Sequence, residues 1–306
     1  MPEQQSKWTY VFGVILVIYL VSLGFSYFFQ DVKNSVNEKI VVLPLEGVIT
    51  VDGGGSSLLS SGSGIVSGDV VKQLKDLDTD TSVKAVLLEI NSPGGSAVAS
   101  QEIANQIKAM HKPVYSVIRE VGASGGYWIA SSTNYIVASP LSITGSIGVI
   151  SSYLQFNELF SKYGVTYERM VAGKYKDMGN PYANLTDEER AILQKKLDLI
   201  HDVFISTVAE NRHLPEEKVR SLATGEFYLG SEAKKYGLID SLGDRDTALT
   251  LLKQKINQTD IDVVDQTPHE SFWSLLTKTS AFYFGQGFGT SFQSLSLQSS
   301  PQTPSV

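Results

Sequence analysis

The chain has 306 residues, 42% hydrophobic and 19% charged, which is enough apolar content for one large globular domain or two small ones. A formal net charge of -7 excludes the basic face expected of a nucleic-acid binder. The absence of cysteine excludes disulfides, thiolate nucleophiles and Cys-based zinc sites, and no residue pattern calls for a metal or a cofactor.

After a short tail of residues 1–7, the stretch from Trp8 to Phe29 carries no charged side chain. As a helix it spans about 33 Å, enough to cross a bilayer core. Trp8 and Tyr10 at one end and Tyr27, Phe28 and Phe29 at the other match interfacial aromatic belts. The following FSYFFQD offers no small-x-small cleavage site, so 8–29 reads as an uncleaved transmembrane anchor rather than a signal peptide. Lys7 before the span and Lys33 and Lys39 after it leave its orientation open.

Beyond the anchor, IVVLPLEGVIT (Ile40–Thr50) reads as a strand or strand pair, followed by a Gly/Ser-rich loop over 51–64. Such a loop is either a lid or a tolerated surface insertion. A strand-helix alternation follows. Asp69–Leu77 reads as helix, Val83–Ile90 as a buried strand, and Ser96–Met110 as a helix with Val98, Ile103 and Ile107 on one side and Ala99 and Ala104 nearby. Val114–Ile118 reads as strand, Ser124–Ser132 as helix and Tyr135–Ala138 as strand. This order predicts an α/β domain of mostly parallel strands with right-handed crossover helices. Thr186–Glu210 reads as a long charged helix, with shorter ones at Pro215–Ala223 and Ser231–Tyr236. The tail 265–306, rich in Gly, Ser, Gln and Thr, reads as flexible; its apolar part, 272–292, reads as a surface or interfacial segment rather than a second span.

Two glycine-rich turns follow two predicted strands. The first is NSPGGS (Asn91–Ser96), where paired glycines allow a sharp turn with exposed N–H groups. The second is VGASGGYW (Val121–Trp128), which sets Ser124 at the start of a helix, where free N–H groups favour developing negative charge. The N–H of Gly125 and a donor from Gly94-Gly95 form a candidate oxyanion hole. A serine needs a base to become a useful nucleophile. The four histidines, His111, His201, His213 and His269, all fall in contexts that read as surface positions. A lysine serves if burial favours its neutral amine, and RMVAGKYKDMGNPY (Arg169–Tyr182) offers Lys174 and Lys176; their spacing alone does not choose between them.

The succession NSPGG, GASGGY, ITGSIGV (Ile143–Val149) and GKYKD resembles the signal peptide peptidase A family, also called protease IV. These are Ser-Lys peptidases of the Clp-protease/crotonase superfamily. The resemblance runs from about Lys39 to Leu252, and GEFYLGSEAKKYGLID (Gly225–Asp240) is similar to a later family segment. It implies a catalytic domain over 39–255 with a Clp-protease/crotonase-like fold, Ser124 as nucleophile and Lys176 as general base. It also implies that Ser146 orients the lysine and that the N–H groups of Gly95 and Gly125 form the oxyanion hole. It further implies a ring-like homo-oligomer of the short, single-repeat form, acting on remnant signal peptides outside the cytoplasm while held in the cell membrane by one span.

Three other readings compete. A related Ser-Lys peptidase would act on a membrane-scaffold protein. An α/β-hydrolase esterase would share the G-x-S-x-G pattern of GASGG but needs a downstream Asp and His. A non-enzymatic membrane-tethered module would not need an intact serine and lysine.

Overall fold

The computed structural model describes residues 12–22, 37–52 and 64–266. Within the expected anchor, residues 12–22 form helix α1, every residue of which is exposed. The rest of 8–29, the tail 1–7, most of the Gly/Ser-rich loop and the tail beyond Gln266 with its 272–292 stretch lie outside the described residues. No helix among the described residues is long and apolar enough to cross a membrane.

The central layer is a mostly parallel sheet. Its strands are β1 (Lys39–Glu46), β4 (Val83–Ser92), β5 (Val114–Ala123), β6 (Tyr135–Ala138), β9 (Ser241–Leu242) and β10 (Asp262–Asp265), in the order β10-β1-β4-β5-β6-β9 with every pair parallel. A small parallel pair, β2 (Ile49–Thr50) and β3 (Ile65–Val66), stands apart. Strand β5 serves two neighbours in turn. Tyr115–Ile118 pairs with β6, and Val121–Ala123 pairs with β7 (Ile143–Gly145), which pairs antiparallel with β8 (Phe227–Leu229). The strand therefore continues past the expected end at Ile118, because a second partner takes over its ladder.

Helices cover both faces, as a parallel sheet requires. They are α2 (Ser67–Thr79), α3 (Ala97–Ala109), α4 (Gly125–Ser131), α5 (Asn157–Lys162), α6 (Asp187–Arg212), α7 (Glu216–Leu222), α8 (Gly230–Tyr236) and α9 (Arg245–Lys255). The alternation within β4 divides the core: Val86, Leu88 and Ile90 pack with α2, α3, α4 and α6, while Ala85 and Leu87 pack with Ala248 and Leu252 of α9. Full burial of each large side chain here contributes roughly 1.5–3 kcal/mol. In α3 the buried stripe is Ala99, Ile103, Ala104 and Ile107; Val98, expected on the buried side, is exposed because it lies one residue off that i, i+4 row. Helix α6 begins with a capping box, in which Thr186 accepts from the Glu189 N–H and the Glu189 carboxylate accepts from the Thr186 N–H. The chain is thus a mixed α/β domain with a mostly parallel sheet, as the strand-helix alternation predicts.

Candidate active site

Ser124 occupies the corner between β5 and α4 with φ 51° and ψ -122°. A positive φ is unfavourable for a residue with a Cβ and persists only where its surroundings enforce it. They do so here: the Ser124 N–H donates to the Gly145 carbonyl (2.8 Å), and its own carbonyl accepts from the Trp128 N–H (2.9 Å). The side chain is half-buried, while all seven residues of α4 are buried. With only two turns, α4 has little dipole to offer, so any anion stabilisation rests on individual N–H groups rather than on the helix as a whole.

The first glycine turn lies against this corner. It is clamped by Ile49, whose N–H donates to the Gly94 carbonyl (2.9 Å) and whose carbonyl accepts from the Ser96 N–H (2.8 Å). Ser92 Oγ donates to the Gly47 carbonyl (2.6 Å) and accepts from the Gly94 N–H (3.1 Å). A Cβ on Gly94, which has φ 101°, would sit 2.6 Å from the Gly125 nitrogen and 2.9 Å from the Ser124 Cβ. A Cβ on Gly125 would meet Ser100 Oγ at 2.3 Å and the Gly95 nitrogen at 3.3 Å. The two turns therefore touch backbone to backbone. Among the described residues neither the Gly95 nor the Gly125 N–H donates a hydrogen bond, so both are free to hold an oxyanion beside Ser124.

Ser146 also has a positive φ, 49°. It continues the β7–β8 ladder: its N–H donates to the Glu226 carbonyl (3.0 Å) and its Oγ to the Gly225 carbonyl (3.2 Å). The hydroxyl expected to orient a lysine is thus engaged by backbone within the single chain.

Lys176 lies elsewhere. From Gly148 to Val203 no residue is buried, and the stretch leading to α6 is held by its own contacts. Phe160 stacks on Phe156 and Tyr182, Tyr167 leans on Tyr182, and the Phe156 N–H donates to the Pro181 carbonyl. Lys174 pairs with Glu188 (2.5 Å), which also accepts from the Tyr175 hydroxyl, and this pairing raises the Lys174 amine above its ordinary value. Asp177 is taken by the Arg169 guanidinium in a two-point contact (2.7 and 2.5 Å), which lowers its carboxyl. A cavity of about 410 Å³ among these pairs is lined by Arg169, Lys174, Asp177 and Glu188, and by none of Ser124, Ser146, Gly95 or Gly125. The Lys176 side chain is exposed, and among the described residues it makes no hydrogen bond to Ser124 or Ser146. Ser124, Gly95 and Gly125 are brought together; Lys176 is not.

The histidines divide. His111 is exposed and pairs with Asp78 (2.9 Å), and His213 is the left-handed cap of α6. His201, read from the sequence as a surface residue, is instead half-buried with Nε2 3.2 Å from the Ile147 carbonyl. His269 lies outside the described residues. Sequence reasoning also passed over Ile49, Ser92 and Ser100, which hold the glycine turns. Ser92 lies within the NSPGGS motif but was read only for its glycines, and the contacts of Ile49 with the first turn and of Ser92 with Gly47 join segments distant in the chain.

The profile of peptidase family S49 matches residues 106–259, and that of Clp protease matches residues 60–140. A protein assigned as a protease in Methanocaldococcus jannaschii is 38% identical over 221 residues, 72% of this chain and 70% of that one. One assigned as a signal peptide peptidase in Enterococcus faecium is 38% identical over 248 residues, 79% and 72% of the two chains. Protease 4 of Haemophilus influenzae is 34% identical over 228 residues, 73% of this chain but 36% of that longer protein. The two profile matches together span both glycine turns, Ser146 and both candidate lysines. With likeness running through the core and along most of two relatives, the chain belongs to peptidase family S49 and is a serine peptidase.

Proposed function

We propose that this chain is a membrane-anchored endopeptidase with a Ser124–Lys176 dyad, cleaving apolar peptides such as remnant signal peptides. The observation that carries this reading is the convergence of the free Gly95 and Gly125 N–H groups at a serine held at positive φ. Ser124 Oγ attacks the scissile carbonyl and passes its proton to the Lys176 amine. The two glycine N–H groups hold the oxyanion. The tetrahedral intermediate collapses, the lysine returns the proton to the departing amine, and water repeats the sequence to release the acyl group. Between the two lysines, the Glu188 partnership of Lys174 favours Lys176, since a carboxylate stabilises the charged form that cannot accept a proton.

A lysine base also needs desolvation, and the exposed Lys176 of one chain lacks it. The same stretch exposes large apolar side chains, among them Ile150 (90% exposed) and Met170 (94%). Such a surface favours association, so in this reading the dyad is completed between copies of a ring-like homo-oligomer. The exposed apolar α1 supports a single membrane span over 8–29; the placement of the catalytic domain outside the cytoplasm follows the family resemblance alone. The substrate class follows the name of the Enterococcus faecium relative. A scaffold-protein substrate would use the same dyad. The esterase reading loses ground because no described histidine hydrogen-bonds Ser124.

An acylating serine probe tests the proposal. It should label Ser124 in the wild type, and neither Ser124→Ala nor Lys176→Ala should react. Labelling of Lys176→Ala at the wild-type rate would remove the dyad. Deleting residues 1–30 should leave a soluble protein that still cleaves short peptides; a folded but inactive product would show that the span contributes to the site.

A further inference from the structure

One stripe of α6 touches two of the elements that build the site. Phe204 stacks on Trp128 (centroids 4.5 Å apart, planes at 12°), and Trp128 is the residue whose N–H holds the Ser124 carbonyl. Further along, Asn211 Nδ2 donates to Ser132 Oγ (2.9 Å) at the end of α4. These contacts register α6 against the nucleophile's helix. One turn before Phe204, on the same side, His201 Nε2 lies 3.2 Å from the Ile147 carbonyl. A carbonyl only accepts, so Nε2 carries the hydrogen.

Ile147 is fully buried and follows Ser146 directly. Its carbonyl is held from two sides, by the Gly225 N–H (3.1 Å) and by His201. The positive φ of Ser146 depends on such clamps, because that conformation is not one the residue adopts unaided. Ser124 thus hangs from α6 through Trp128, while Ser146 hangs from it through Ile147.

We propose that His201 is a positioning residue: its Nε2–H fixes the Ile147 carbonyl, and through it sets Ser146 relative to Ser124. The inference rests on the Ser-Lys reading, in which Ser146 orients the lysine. It assigns His201 no proton transfer with substrate.

The test uses the full-length protein in detergent with His201→Ala, His201→Gln and His201→Met, and with Ser124→Ala and Lys176→Ala as controls. Readouts are the rate of Ser124 acylation by the probe, kcat and KM on a fluorogenic peptide, and the melting temperature. Loss of one half-buried hydrogen bond predicts that His201→Ala and His201→Met lose about tenfold in acylation rate and kcat, with KM changed by less than about twofold. The Gln variant retains an N–H donor and should recover to within about threefold of wild type. Should the alanine variant melt too low to assay, the Gln and Met pair carries the same comparison at similar side-chain size. Equal impairment of Gln and Met, or wild-type acylation in Met, would overturn the proposal. Failure of the underlying dyad reads differently, as undiminished acylation in Lys176→Ala.

Discussion

The corner at Ser124 and the stretch bearing Lys176 are built on opposite principles. Around Ser124, backbone packs on backbone: glycines lie within contact of Ile49, Ser92 and Ser100, and the serine's own N–H and C=O are both engaged. From Gly148 to Val203 nothing is buried, and order comes from stacked rings and surface ion pairs. The first kind of site is complete within one chain, because packed backbone admits one arrangement. The second has its chemistry pointing outward, and surface ion pairs add little stability on their own. In the proposed reading, the serine half is therefore preorganised in the monomer while the lysine half awaits a partner copy.

The sharpest way to break this comparison is to remove each half separately. Ser124→Ala and Lys176→Ala should each lower peptide hydrolysis by several orders of magnitude without loss of fold. If the halves come from different copies, coassembling the two inactive variants should restore about a quarter of the sites in an equal mixture. Absence of any recovery after verified coassembly would show that one copy supplies both residues.

Gly125→Ala tests the backbone half. Its Cβ collides with Ser100 Oγ and should cost roughly 10²–10³ in kcat by displacing an oxyanion donor. Adding Ser100→Ala removes the closest atom and should recover part of that loss; no recovery would point to the contact with the Gly95 nitrogen, or to some other cause.

Stability should separate the regions as well. Leu88→Ala, in the fully buried middle of β4, should destabilise the domain by about 2–5 kcal/mol in denaturant titration. Met170→Ser should leave the unfolding free energy within about 0.5 kcal/mol and reduce assembly by sedimentation. A large folding effect at Met170 would mean that the outer stretch is part of the core after all.

The smallest effect concerns acid. Hydrogen bonds from Arg169 and Lys174 lower the Asp177 and Glu188 carboxyls from their ordinary 3.8 and 4.5. Their contribution is present above the unfolded values and is lost as pH falls through the lower folded ones. Amide exchange over 166–188, corrected for intrinsic rates, should therefore quicken below about pH 4, before β4 and β5 lose protection. Simultaneous loss in both regions would show that these pairs do not hold the outer stretch independently.

Much of this protein was legible locally. Apolar runs at Val83–Ile90 and Val114–Ile118 announced a parallel sheet covered on both faces, and the glycine pairs after them announced tight turns, because burial and backbone freedom leave marks in adjacent residues. Ser124 and the two lysines were visible as residue types in suggestive settings, and the order of motifs carried the family. Short β7, β8 and β9 escaped notice because two or three residues hold too little periodicity to read. The charged context of α6 concealed the inward turn of His201. Only the tertiary structure decided that the two glycine turns touch backbone to backbone beside Ser124, since that depends on β4 and β5 being neighbours in register. Only it decided that Glu188 engages Lys174 while Lys176 stays exposed, and that His201 meets Ile147. Those are contacts between segments far apart in the chain, set by how sheet and helices pack, and no local pattern records them.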